Sequence, residues 1–324
     1  MRRFLILGGA GLVGSHLCDR LLAAGREVIV VDDLSSGSYA NVAHWKFEPR
    51  FAFVEHDVRS AFDAKVDVIF HLALPSSRAS CRRDPVGAAM TCIDGTRLAL
   101  DAAARAGARL VIVTSTERWG HGARSAESFA LDFAKQRGLD VRIVRHASVY
   151  GARMAPDGDH VVSTLALRAL RGETLEGGRH DATDTYRVVH VDEVVETLVR
   201  TIVASHRPPP LLAGYAETSF ETIARIVTAA AHTTLGVTGT TMRGSVATVQ
   251  GNTAPHGSVA SFSNTPSLEG ALPAAHVLGP LPSVELADGV ARTVTWFAAR
   301  IAHFFDRESR GAFARTDAAR ETVS

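Results

Sequence analysis

The sequence predicts an α/β fold in which a doubly wound parallel sheet is joined by a smaller C-terminal lobe. Three observations carry this expectation. Short apolar runs rich in Val and Ile recur with room for one helix between them. The first two runs are separated by Gly8, Gly11 and Gly14 in G-x-x-G-x-x-G spacing. The second run, Val28-Ile29-Val30-Val31, ends on the acids Asp32-Asp33.

Taken in order, Phe4-Leu5-Ile6-Leu7 reads as a strand and Leu12 to Ala24 as an amphipathic helix stopped by Gly25. With the glycines and the acid in register, this is the layout of a dinucleotide-binding βαβ unit. The glycines let backbone N–H groups approach a pyrophosphate, and the helix N-terminus adds partial positive charge there. A carboxylate at the tip of the second strand accepts from both ribose hydroxyls and repels a 2′-phosphate, so NAD is favoured over NADP. The competing explanation is a glycine-rich turn in an ordinary α/β core.

The alternation continues. Phe51-Ala52-Phe53-Val54 leads to His56-Asp57-Val58, and Val66 to Phe70 leads to His71-Leu72-Ala73. Asp84-Pro85 is an N-cap and first-turn pair opening an alanine-rich helix that ends near Gly107. Leu110 to Val113 runs into Thr114-Ser115-Thr116, a helix spans about Ser125 to Arg137 before Gly138, and Val141 to Val144 is a further strand. Right-handed crossovers place the strand ends, and with them the site, along one edge of this Rossmann-type sheet.

Later signals are looser. Helices are expected near Val161–Arg171, Phe220–Ala231 and Val284–Phe305, the last with Trp296 and Phe297 on its apolar side. Val188 to Val203 reads as a short strand and helix, and Pro208-Pro209-Pro210 as a stiff spacer. Gly236 to Ala275 has little periodicity and suggests irregular strands and loops, and the charged tail after Asp306 is expected to fray. The expected organisation is a cofactor domain over 1–172, revisited at about 186–204, a smaller substrate lobe over 173–310 and a tail over 311–324.

Composition excludes several classes. A formal net charge of +1 gives no reason to expect nucleic acid or acidic membranes as partners. The histidines form no H-x-x-x-H or H-E-x-x-H pattern, so no metal site is expected. Cys18, Cys81 and Cys92 are odd in number, without ligand spacing, and read as buried thiols. Met1-Arg2-Arg3 precedes an apolar run too short for a signal peptide, broken by Gly8 to Gly14 and then Asp19-Arg20. No segment reaches membrane-spanning length without charges. A soluble cytoplasmic protein is expected.

The segments FLILGGAGLVGSHLCDRLLAAG, EVIVVDDLSSG, EHDV, VDVIFHLALPSS, TSTERWG, AESFALDFAKQRGLDVRIVR, VYGARM, VVSTLALRALRGE and SVELADGVARTVTWF occur in that order. Together they resemble extended short-chain dehydrogenases/reductases of the NAD-dependent epimerase/dehydratase family, nearest to the UDP-glucuronate decarboxylases. The resemblance implies Gly11, Leu12 and Val13 at the pyrophosphate and Asp32, Asp33, Ser36 and Gly37 around the adenosine ribose. It implies Asp57 and Val58 at the adenine, and Leu72, Ala73 and Leu74 beside the nicotinamide.

The catalytic pattern departs from the family. Enzymes of this group use a Tyr as general acid/base with a Lys four residues later, whose ammonium lowers the phenol's pKa. Tyr39, Tyr150, Tyr186 and Tyr215 are followed at that distance by Ala43, Met154, His190 and Ser219. The lysines, Lys46, Lys65 and Lys135, complete no such pair. The family's substrate-binding insert is missing as well, since Trp119-Gly120 passes through His121-Gly122 straight into Ala123-Arg124-Ser125. The R-x-F-N-x-Y-G-P strand end reads Arg145-His146-Ala147-Ser148-Val149-Tyr150-Gly151-Ala152, and the Asn after V-V-S is Thr164.

Ser115 matches the family's Ser/Thr that hydrogen-bonds the reacting sugar hydroxyl, and Glu117 an acid placed near the reacting carbons. His121 in the shortened loop and Tyr150 at its strand end complete the catalytic candidates. The resemblance implies an NAD-dependent enzyme acting on the sugar of a nucleoside, nucleotide or similar conjugate, with dehydration or epimerisation favoured. The alternatives are a catalytically silent NAD-binding partner or sensor and a lyase without a redox step. It also implies a homodimer built from the helix after Asp84 and the helix carrying Glu127, with Ala88, Ala89, Ala99, Ala102 and Ala103 allowing close approach.

Overall fold

The computed structural model describes residues 2–75, 78–116, 122–156, 160–173, 175, 185–236 and 271–301. Its first half runs β1 (Arg3–Leu7), α1 (Leu12–Ala23), β2 (Glu27–Asp32), β3 (Phe51–Glu55), β4 (Val68–His71), α2 (Arg78–Arg83), α3 (Pro85–Ala106), β5 (Arg109–Ser115), α4 (Gly122–Arg137) and β6 (Val141–His146). The chain continues through β7 (Ser148–Tyr150), α5 (Val161–Leu170), β8 (Thr185–His190), α6 (Val191–Val203), β9 (Leu211–Leu212), β10 (Ala216–Ser219) and α7 (Phe220–Leu235). It closes with β11 (Leu272–Pro273), α8 (Ala274–Leu278) and α9 (Leu286–Ala298).

Eight strands form one sheet in the order β11-β9-β6-β5-β4-β1-β2-β3, and its pairings are parallel. The doubly wound α/β expectation therefore holds. The strands read as continuous apolar runs because each face is covered. Phe4 and Ile6 of β1 pack with Leu17 and Leu21 of α1 and Leu198 and Ile202 of α6. Leu5 and Leu7 point the other way, to Ala99, Leu100 and Ala103 of α3 and Ala130 of α4. β1 lies between β2 and β4, so the chain winds outward in opposite directions on its two sides. That reversal opens a crevice at the carboxyl ends of β1 and β4.

A second core gathers Tyr150, α5, α7 and α9 around Phe220 and Phe297, beside a three-stranded sheet of order β10-β8-β7. Side chains start these helices where sequence predicts. Asp84 accepts from the Gly87 amide at 2.8 Å, ahead of α3, Ser219 from Thr222 at 3.1 Å, and Glu285 from Ala287 at 3.1 Å. The far end of α6 is held by arginines of the central sheet. Arg142, buried in β6, donates to the carbonyls of Thr201 and Ala204, and Arg109 to that of Ile202. Asp140 pairs with both guanidiniums. Cations at a helix C-terminus offset its partial negative charge.

Several boundaries differ from expectation. β9 and β11 extend the main sheet with two residues each, too short for any periodicity to announce, and Pro208–Pro210 feeds directly into β9. Residues 237–270 of the aperiodic stretch lie outside the described residues, as do 302–324, so α9 is described from Leu286 to Ala298 rather than to Phe305. α4 starts at Gly122, ahead of Ser125, because Gly122 lies directly against α3. A Cβ there would stand 2.8 Å from Ala89 and 3.1 Å from the Cys92 Sγ. The small residues of α3 are thus spent inside the subunit. Ala88 and Ala89 stay partly exposed, but Ala99, Ala102 and Ala103 are buried in the sheet core with Ala130 and Ala134 of α4. This corrects the expected place of those three in a bundle between subunits.

Candidate functional site

Residues 8–14 form a turn whose inner side has no room for side chains. Gly8 has φ +79°, and a Cβ on it would lie 2.8 Å from the Ala73 amide nitrogen and 2.9 Å from the Leu72 carbonyl carbon. A Cβ on Gly14 would lie 2.3 Å from the Gly8 carbonyl oxygen. Gly11 is different. Its Cβ position meets only that same oxygen, at 3.4 Å, and otherwise opens outward. α1 then begins at Leu12 with no side-chain cap and no acid in its first turn, which leaves its leading N–H groups available to an anion.

The turn is fixed through Ala10. Its N–H donates to Asp32 Oδ2 at 2.9 Å, and its carbonyl accepts from the Ser38 amide at 3.1 Å and from Asn41 Nδ2 at 2.9 Å. Asp32 also accepts from the Leu34 amide at 2.9 Å, with Leu34 at φ 58°. Burial pushes the Asp32 carboxyl above its usual range, against these two backbone donors and with the Asp33 charge adding to the rise. Gly37 closes over the same carboxylate, its Cβ position 2.9 Å from Asp32 Oδ1.

Other expected cofactor residues have local partners. Asp33 accepts from the Ser35 amide and hydroxyl, and Ser36 is exposed in the same turn. Asp57 is gripped by the Arg59 guanidinium, which holds its carboxyl below the ordinary value. Val58 is buried against Gly95 of α3. Leu72, Ala73 and Leu74 leave β4 half-buried beside the glycine turn. A pinned glycine turn, an uncapped helix start and a buried acceptor at the β2 tip are what the two phosphates and the ribose of a dinucleotide require. These residues fit NAD.

Across the crevice lie the ends of β5 and β6. Ser115 is in register with His146, so their side chains share a face of the sheet, and the Thr116 amide donates to the His146 carbonyl at 2.8 Å. On the opposite face, Thr114 and Arg145 both reach Glu127 of α4. Thr114 Oγ1 donates to Oε1 at 2.5 Å and the Arg145 guanidinium pairs with Oε2 at 2.6 Å. Beyond β6, Ser148 Oγ and His160 Nδ1 are 3.1 Å apart. One turn into α5, the Thr164 hydroxyl is buried without a hydrogen-bond partner among the described residues.

Tyr150, a catalytic candidate from sequence, occupies a packing position. It is 3 % exposed, its ring stands edge-on to His190 at 5.3 Å, and its hydroxyl faces Gly289 of α9. Burial, with the Glu193 charge, pushes the phenol upward, away from a role in proton exchange near neutrality. Glu117 and His121 lie outside the described residues. Cys18, Cys81 and Cys92 are buried and form no disulfide, with burial raising Cys92 to about 11. Among the described residues no group of three or more His, Cys, Asp or Glu side chains is placed to hold a metal, and no helix is long and apolar enough to cross a membrane.

The model of the NAD dependent epimerase/dehydratase family matches residues 4–130 and 124–210. The chain belongs to this family. NAD is the cofactor of the family. Among its relatives are UDP-glucuronic acid decarboxylase 6 of Arabidopsis thaliana, 35% identical over 64% of this chain and 68% of that protein. UDP-glucuronic acid decarboxylase 1 of Xenopus tropicalis is 34% identical over 70% of this chain and 59% of its own. Among solved structures, a double mutant of the dTDP-glucose 4,6-dehydratase DesIV of Streptomyces venezuelae, with NAD and DAU bound, has TM-score 0.72 and 25% identity, covering 92% and 97% of the two chains. The Bordetella bronchiseptica enzyme WbmF, in complex with NAD+ and UDP, shares the fold at TM-score 0.77 and 21% identity, covering 96% and 97%.

Within this family frame, the residues that sequence reasoning did not select are His146, Ser148 and His160 at the β6–β7 edge and the Glu127–Arg145 pair beneath it. His146 and Ser148 were visible as departures from the family's strand end. His160 carried no local signal, because twelve residues separate it from the Ser148 it meets.

Proposed function

We propose that this chain binds NAD across the β1/β4 crevice and acts on the sugar of a nucleoside, nucleotide or similar conjugate, by dehydration or epimerisation through transient oxidation. The observation that carries this reading is the Ala10–Asp32 clasp. It holds a side-chain-free turn and an open helix start facing the edge where Ser115 ends β5. When bound, NAD supplies a hydride acceptor for a carbon bearing a hydroxyl, which acidifies the neighbouring C–H. The chain's own residues then bind and move protons. Gly11, Leu12 and Val13 present N–H groups to the pyrophosphate, Asp32 orients the adenosine ribose, Ser115 holds the reacting hydroxyl, and Glu117 exchanges the proton at the adjacent carbon. The relatives named above as UDP-glucuronic acid decarboxylases and a dTDP-glucose dehydratase support a sugar-nucleotide class. Without a Tyr–Lys pair in the sequence, the centre is non-standard.

Titration calorimetry with NAD and NADP tests the cofactor. NAD binds more tightly in the unmodified protein, and Asp32→Ala narrows the preference. Tighter binding of NADP, or an unchanged preference in the variant, overturns the assignment. Glu117→Gln lowers turnover at least about a hundredfold at unchanged NAD affinity, in line with the usual contribution of general acid/base catalysis. NAD uptake with no reaction of UDP-glucuronate, UDP-glucose or dTDP-glucose would instead favour a silent NAD-binding protein.

We infer in addition a homodimer through α3 and α4. Their outward faces leave Val86, Met90 and Leu131 exposed, an apolar surface suited to a second copy. Light scattering at micromolar concentration that gives a monomer mass excludes it.

A further inference from the structure

The β6–β7 edge holds a group of side chains that the family pattern does not provide. His146 is in register with Ser115, on the same face of the sheet and at the same carboxyl edge as the cofactor crevice. Its ring is half-buried. Its Nδ1 lies 2.7 Å from the Ala147 carbonyl oxygen. A carbonyl only accepts, so Nδ1 carries the proton and the neutral ring keeps its lone pair on Nε2. Among the described residues Nε2 has no hydrogen-bond partner.

The neighbouring groups keep that ring neutral. Burial pulls the imidazole below its ordinary value, against the Ala147 carbonyl, and the nearby His160 ring lowers it further. His160 comes from the N-terminus of α5, and its side chain does not cap its own helix. It turns instead to Ser148. His190, in the equivalent position of α6, behaves oppositely, its Nδ1 accepting from the Asp192 amide at 3.2 Å. Among the described residues the nearest charged side chains, Arg145 and Glu127, lie on the far side of the sheet and pair with each other.

We propose that His146, with the Ser148–His160 pair beside it, is the proton acceptor for the substrate hydroxyl held at Ser115. This rests on the NAD-dependent reading above and assigns the proton transfer that a Tyr–Lys pair carries elsewhere in the family. The hydroxyl O–H bond breaks, its electron pair stays on oxygen, and an N–H bond forms at Nε2 to give an imidazolium. Bound NAD would accept as hydride the two electrons lost at carbon. The ligand class is a neutral sugar bearing a secondary hydroxyl, since the edge offers hydroxyl and imidazole groups and no free cation among the described residues.

Nitrogen-15 NMR of histidine-labelled protein, free and loaded with NAD, tests this, with UDP-glucuronate, UDP-glucose and dTDP-glucose as probes and calorimetry on the same samples. The expected result is an Nδ1–H tautomer of His146 at neutral pH, titrating below ordinary imidazole, with an Nε2 resonance that moves when a probe binds. His146→Gln leaves NAD uptake unchanged and lowers probe-dependent nicotinamide reduction by about a hundredfold or more. Ser148→Ala moves the His160 Nδ1 resonance and costs less. An Nε2–H tautomer, an imidazolium at neutral pH, or an Nε2 resonance unmoved by a probe that calorimetry shows to bind overturns the inference alone. Failure to take up NAD, or to bind any of the three probes, overturns the proposed function and this inference with it.

Discussion

The two sides of the crevice are built by different physics. On the cofactor side, recognition is made of backbone. The turn at 8–14 is held by Ala10 hydrogen bonds and by approaches of 2.3 to 2.9 Å that forbid a Cβ at Gly8 or Gly14. On the substrate side it is made of side chains. Ser115, His146, Ser148 and His160 stand above a buried Thr114–Glu127–Arg145 cluster. A backbone site tolerates almost no substitution and has a local sequence signature. A side-chain site can be rewritten residue by residue while the strands beneath stay in register.

Substitutions can break this contrast, and the largest effect is expected under the substrate edge. Glu127→Ala removes the buried carboxylate that the Thr114 hydroxyl and the part-buried Arg145 guanidinium share, which costs about 3–5 kcal/mol. Urea unfolding measures it. A loss below about 1 kcal/mol would mean that water reaches Arg145 and that the edge is not built on this pair.

His71 tests the junction between the two sides, at the end of β4. It is fully buried, its Nε2 lies 3.2 Å from Thr96 Oγ1, and its Nδ1 has no partner among the described residues. Burial pushes it down to about 4 from 6.5. Its folded value is depressed, so the stability it contributes is complete above about pH 6.5 and lost as pH falls from 6.5 toward 4, up to about 3 kcal/mol. His190, also lowered to about 4 by burial, acts in the same window. Denaturant midpoints measured across that range should fall with acid, and His71→Gln should flatten the fall. An equal slope in the variant would show that other groups set the acid response.

The two glycines of the turn separate fold from binding. Gly14→Ala drives a methyl into the Gly8 carbonyl and should cost about 1–3 kcal/mol along with NAD uptake. Gly11→Ala has space for its methyl and an extended φ of −77°. It should change stability by less than about 1 kcal/mol while still weakening NAD, because the methyl projects where the pyrophosphate approaches. If both variants lose stability equally, the outward opening at Gly11 is wrong.

Sequence alone determined a parallel sheet and its first six strands along the chain, the glycine turn with Asp32, the cap at Asp84 and the helix stop near Gly107. Each is a local signal: a run of apolar residues, a turn that needs glycine, or an oxygen three residues before an amide. It offered Ser115 as a candidate through the resemblance of its strand-end motif. Tertiary structure decided what depended on partners far along the chain. Tyr150 reads as a strand-end candidate until α9 brings Gly289 against its hydroxyl. The alanines of α3 read as an interface until the sheet and Gly122 claim them. β9 is a strand only because β6 offers it an edge, and β11 because β9 does. His146 and His160 gain a chemical meaning when β6, β7 and the start of α5 meet beside Ser115. Hydrogen bonding and burial at that edge are properties of the assembled chain, and no local pattern encodes them.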